Sequence, residues 1–151
     1  MNNRIRILAL YALLAACIAL QLAPAAMLQT LSAIAFLVML FIAKHWSKRE
    51  DWVLQSHALY YYRTIWIWSL LFTLGTVAMA AWLYSTRSTA EILELGRLLA
   101  QRAEETPELR AAINIGLLCI MPSFVYLAYR MYKGIAGALK NAPVPDPKTL
   151  L

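Results

Sequence analysis

Apolar residues run almost unbroken from Ile5 to Ala23, Met27 to Ala43, Thr64 to Tyr84 and Ala111 to Tyr129. Each run approaches the roughly 20 residues an α-helix needs to cross a ~30 Å hydrocarbon core. The pattern predicts an all-α integral membrane protein with four transmembrane helices, at about 5–23, 27–43, 64–84 and 111–129. The connection from Gln21 to Thr30 carries no charge and contains Pro24, which makes the first two helices an antiparallel hairpin. The second run is the shortest and ends at Lys44.

Two intervening segments have helical patterns of their own. The segment Lys44 to Arg63 reads KHWSKREDWVLQSHALYYYR, with Trp and Tyr rings suited to the headgroup level. Ser47 followed by Glu50 is a capping-box pattern, so a short interfacial helix is expected there. Between the third and fourth runs, Ser88-Thr89-Ala90-Glu91 is a second capping box. Ile92, Leu95, Leu98 and Leu99 come next at near-helical spacing, opposite Glu94, Arg97, Gln101 and Glu105. They predict an amphipathic helix over about 89–104. Thr106-Pro107 then supplies an N-cap and a first-turn proline for the fourth helix.

Within the runs, Gly75 and the small residues around it would admit a neighbouring helix closely. Pro122 predicts a kink near Leu118 to Pro122, with Asn114 or Ser123 placed to meet freed backbone groups. The fourth helix is expected to run out through Tyr129 to Lys133, with Gly134 and Gly137 loosening the chain after Lys133. Residues 1–140 form the transmembrane domain, and 141–151 form an extended Pro-rich tail.

Composition agrees with the pattern. The 151 residues are 62% hydrophobic and 15% charged, more apolar than a soluble core of this size requires. A net charge of +6 would suggest nucleic acid in a soluble chain. Here the basic residues flank apolar runs, so the partner they imply is the lipid bilayer and not a nucleic acid. Leu14-Ala15-Ala16-Cys17 imitates a lipoprotein cleavage box, and Ala23-Pro24-Ala25 imitates a signal-peptidase site. Because the first run continues to Ala23, it is expected to be retained as a helix. Cys17 and Cys119 both lie in apolar runs and read as packing residues.

Charge also sets orientation. Ten Lys and Arg residues fall on the side of the termini and the Lys44 to Arg63 loop. The opposite side has four, Arg87, Arg97, Arg102 and Arg110, which five Glu residues outnumber. The positive-inside rule places both termini in the cytoplasm of a multi-pass protein, and in a bacterium that membrane is the inner one.

Little in the chain points to chemistry. His45 and His57 have no Cys, Asp or second His at metal-ligating spacing, and no phosphate loop or serine elbow occurs. No catalytic residue, cofactor or metal is expected. The candidate interaction residues are Trp52, His57, Tyr60, Arg63, Trp66 and Arg130 in the basic aromatic collar, and Ile92, Leu95 and Leu99 on the amphipathic helix. Arg63 and Arg130 sit at predicted helix ends, where snorkelling to lipid phosphate is the simplest role.

The segment with Trp52, Ser56, His57, Tyr60, Arg63, Thr64 and Trp66 resembles a family of small uncharacterised bacterial inner-membrane proteins. Tyr129-Arg130, Lys133-Gly134 and Pro143-Val144-Pro145-Asp146-Pro147 extend the likeness. That family is distantly similar to the channel-type subunit of the chloroplast inner-envelope translocon. The resemblance covers about Ala43 to Gly75 and Ser123 to Pro147; the segment Ser85 to Arg110 departs from it. It implies membrane class and topology and only a weak translocon analogy. Two functions are therefore expected in order. The first is a non-enzymatic accessory or assembly subunit, partnered by another membrane protein or by itself. The alternative is a small oligomeric channel, with Thr73, Thr76, Asn114 and Ser123 lining a neutral path.

Overall fold

A computed structural model describes residues 3–21, 26–48, 51–101, 106–145 and 147. The helices are α1 (Asn3–Gln21), α2 (Ala26–Trp46), α3 (Trp52–Thr86), α4 (Thr89–Gln101) and α5 (Pro107–Leu139). No strand occurs among the described residues. Four of these helices, α1, α2, α3 and α5, are long and apolar enough to cross a membrane. This is the architecture of a membrane protein.

Local chemistry explains where the helices start and stop, and it corrects several expectations. α2 does not end at Lys44 but runs on to Trp46, so Lys44 and His45 lie in its last turn, where cations complement the helix dipole. Among the described residues no separate interfacial helix occurs over Lys44 to Arg63. The Ser47 hydroxyl donates back to the Lys44 carbonyl at 2.8 Å. Its expected partner, Glu50, lies outside the described residues. The cap belongs to Asp51, whose Oδ1 accepts from the Leu54 N–H at 3.0 Å and starts α3 at Trp52. Residues 52–63 are therefore the opening turns of one 35-residue helix that contains the expected 64–84 run. At 1.5 Å per residue α3 is about 52 Å long, well beyond the ~30 Å of a hydrocarbon core.

The other caps match expectation. Ser88 N–H donates to Glu91 Oε2 at 2.8 Å, and Glu91 N–H to Ser88 Oγ at 3.4 Å, the reciprocal pair of a capping box before α4. The expected end of that helix at 104 falls outside the described residues. Thr106 Oγ1 accepts from Leu109 N–H at 3.2 Å, with Pro107 as the first residue of α5. α5 does not loosen at Gly134 but continues to Leu139. It closes with Asn141 at φ 50 and the bond pair Asn141 N–H to Ala138 and Ala142 N–H to Gly137. These bonds form a Schellman motif with asparagine in the left-handed position.

The chain divides into two compact units. The first comprises Met1–Trp66 and Ala128–Leu151, the second Ile67–Leu127. In the first, α1 buries Ile7, Leu10, Tyr11, Leu14 and Cys17, a single stripe at i, i+3, i+4, i+7 and i+10. Of these, Tyr11 meets the early turns of α3, edge-on to Tyr61 with centroids 5.7 Å apart. α2 contributes Ser32, Met39 and Ala43, with Tyr61 donating to Met39 Sδ at 3.5 Å.

In the second unit, α3 and α5 approach at glycines. A Cβ on Gly75 would collide with the Cys119 carbonyl, and one on Gly116 would lie 2.9 Å from Met79 Sδ. Gly75 thus admits the neighbouring helix at backbone distance. Trp68, Phe72 and Phe124 stack beside this crossing with centroids 5.8 to 6.3 Å apart. Pro122 lies inside α5 and faces outward, and its missing N–H deprives the Leu118 carbonyl of its helical donor. Ser123 does not take that place: its hydroxyl donates to Ile120 at 2.7 Å.

Candidate functional site

The chemistry-bearing residues of the first unit converge on one seam. α3 turns Ser56, His57, Tyr60, Tyr61, Thr64 and Ile65 to a single buried face, because these positions recur at helical spacing. α5 answers with Arg130, Gly134 and Ala138, again four residues apart. At their junction Arg130 is 0% exposed.

Its guanidinium lies 3.6 Å from the centroid of the Tyr60 ring, and its Nε–H donates to Thr64 Oγ1 at 3.1 Å. Thr64 in turn donates its hydroxyl to the Tyr60 carbonyl at 2.7 Å. The hydroxyl proton is therefore committed to the helix, leaving the oxygen lone pair for arginine. Cation, hydroxyl and carbonyl form one polarised chain, and the ring face supplies the negative side of a quadrupole. A buried guanidinium held in this way ties α5 to α3 by geometry as much as by charge.

The seam continues through rings fitted to glycines. A Cβ on Gly134 would strike the Tyr11 hydroxyl, and one on Gly137 would lie 3.3 Å from the His57 ring. Tyr11 and His57 meet edge to face at 6.3 Å. Hence Gly134 and Gly137 are not loosening residues but the surfaces on which two aromatic rings rest. Beyond α5 the chain folds back onto α3. His57 Nε2–H donates to the Ala142 carbonyl at 3.0 Å, and Val144 N–H donates to Ser56 Oγ at 3.2 Å. Residues 142–144 belong to no helix or strand, and they are packed, with Val144 2% exposed.

Depth gives the seam its interest. The membrane-competent stretch of α1 is Asn3–Leu20, and Tyr11 stands at its middle. Tyr11 faces Gly134, one turn along α5 from Arg130. Arg130 is enclosed by protein and does not snorkel to phosphate, because Thr64 and Tyr60 engage it inside. An ionisable group held among membrane helices in this way is a candidate functional site.

Of the residues expected at a site, His57, Tyr60 and Arg130 are brought together. Trp52 and Trp66 point outward, the latter edge-on to Tyr62 at 6.3 Å, and Arg63 is half-buried. Ile92 and Leu95, half-buried, and Leu99, exposed, belong to the other unit. Thr73, Thr76 and Asn114 lie in that unit too, and there Thr76 donates to the Phe72 carbonyl of its own helix at 2.9 Å while Ser123 is buried. Thr73, Thr76 and Asn114 are exposed. Tyr11 has almost no signature in the sequence, a single hydroxyl in the run Ile7 to Leu20. No group of three or more His, Cys, Asp and Glu suited to a metal ion occurs among the described residues.

Comparison of the chain with protein-family models, with curated proteins and with solved structures returned no match.

Proposed function

We propose that this chain is a non-enzymatic membrane subunit that assembles with, and steadies, a larger membrane complex. The observation that carries this reading is the direction of its polar chemistry. Arg130, Thr64, Tyr60, His57 and Ser56 are turned inward and engaged with the chain's own backbone and rings. They hold helices in register; they do not line a passage. Outward, α2 presents Met27, Leu31, Ile34, Val38 and Phe41, all exposed and spaced three or four residues apart. Such a stripe suits lipid or another transmembrane helix.

Placement belongs to the same proposal. The Lys and Arg imbalance favours both termini in the cytoplasm of a bacterial inner membrane and α4 outside it. α4 then lies along the outer interface, with exposed Leu93 and Leu99 turned to headgroups or to a partner. The likeness to the small bacterial inner-membrane family is proposed with it. It rests on Trp52, Ser56, His57, Tyr60, Arg63, Thr64 and Trp66, with Tyr129-Arg130, Lys133-Gly134 and Pro143-Val144-Pro145-Asp146-Pro147.

Detergent extraction followed by native mass spectrometry tests the assignment. Stoichiometric co-purification with a different, larger membrane protein is the expected result. A closed homo-oligomer containing this chain alone would favour a pore and overturn the subunit reading.

A further inference from the structure

We infer that residues 141–145 form a strap that closes over His57 and opens in the folded protein without unfolding the helices beneath it. The strap begins at a built-in bend. Asn141 takes the left-handed conformation at φ 50, which redirects the chain against α3 once α5 has ended.

Its hold on α3 is slight. Two side chains of α3 grip main-chain groups two residues apart, His57 Nε2 on the Ala142 carbonyl and Ser56 Oγ on the Val144 N–H. Val144 alone is fully buried, and the flanking Pro143 and Pro145 are exposed. Main-chain recognition with a single aliphatic anchor is the way extended segments add to a surface, and it is readily exchanged.

The residues underneath favour opening. His57 is 1% exposed, and among the described residues neither its Nδ1 nor the buried Tyr11 hydroxyl behind it has a hydrogen-bond partner. A polar atom left unmet in the interior opposes the closed state by an amount comparable to the bonds the strap makes. Among the described residues, lifting the strap from α3 gives up two hydrogen bonds and one valine contact, and it admits water to the imidazole. The open and closed states are therefore close in free energy, whereas the Arg130 clasp deeper in the seam is held by both a ring face and a hydroxyl.

The two histidines report on the strap directly. His45 is exposed and serves as the reference. Full-length protein in detergent micelles is treated with diethyl pyrocarbonate, and both sites are followed by peptide mass spectrometry. His57 should react measurably but far more slowly than His45. Ser56→Ala should speed His57 about tenfold, the loss of one strap bond, and leave His45 unchanged. Val144→Ala is a second variant with the same expected direction. Amide exchange at Val144 should outpace that at Ala58 and Tyr61 in wild type. If His57 reacts as fast as His45, the strap is not closed. If His57 and the Val144 amide respond only when Ala58 and Tyr61 do, the strap does not open by itself. Either result overturns the inference.

Discussion

At position 64 a single oxygen atom both accepts from a buried cation and donates to a helix carbonyl. Thr64→Val keeps the side-chain shape and removes both bonds, taking from Arg130 the acceptor of its Nε–H. The expected cost is about 2 kcal/mol, seen as a lower Tm in micelles, because a charged donor is stranded in the interior. Thr64→Ser retains the oxygen and should recover most of the loss. Gly134 gives a steric counterpart. Gly134→Ala drives a methyl group into the Tyr11 ring and should destabilise by about 1–3 kcal/mol, less in a Tyr11→Leu background where the hydroxyl and ring are gone. Equal costs in the two backgrounds would show that the two residues do not meet.

Among the elements, two of the helical glycines, Gly75 and Gly96, separate packing from propensity. At Gly75 the obstacle to a Cβ is the Cys119 carbonyl, a backbone atom that cannot turn aside, so Gly75→Ala should destabilise the α3–α5 crossing by about 2 kcal/mol. At Gly96 nothing lies within 4 Å, and the site is exposed in mid-helix. Gly96→Ala should raise the helicity of α4 by about 0.5–1 kcal/mol, measured by amide exchange.

α4 also carries a pH response. The Glu91 carboxyl is held below its ordinary value of 4.5, first by the Ser88 backbone N–H and then by the Ser88 hydroxyl. Glu94 is lowered by its hydrogen bonds from Arg97. A depressed value in the folded helix means the cap contributes fully above the ordinary Glu range and is lost as pH falls through the lowered value. Amide protection in the first turn of α4 should hold at neutral pH and decline only in acid. Glu91→Gln should remove most of that acid response, and an unchanged profile would disprove the cap's role.

For the whole molecule, the pattern of apolar runs disclosed the helices but not their level or their polar interior. Four runs gave four long helices, and Ser88-Glu91 and Thr106-Pro107 located two helix starts, because capping is local chemistry. The start of α3 was misplaced since Ser47-Glu50 matches the capping pattern as well as Asp51 does, and only the fold selects between them. Arg130 was legible as a residue to watch, yet its burial was not. Hydropathy ranks each segment alone, while the arginine's surroundings come from Tyr60 and Thr64, more than sixty positions away in sequence. Gly134 and Gly137 were misread for the same reason: the rings they receive lie on α1 and α3. Reporter fusions check the proposed topology at this scale. Fusions after Ser47 and after Lys140 should report cytoplasm, and one after Arg87 the outer side; an outer-side signal after Ser47 would sink it.

A buried arginine clasps α5 to α3 inside the first unit, and the rest of the seam is built around it. Equilibrium unfolding of wild type, Arg130→Met, Thr64→Val and the double variant puts this clasp to the test. Strong non-additivity is expected, a coupling of about 1–3 kcal/mol between the two positions. Costs that add to within about 0.5 kcal/mol would place the guanidinium away from Thr64 and refute the clasp.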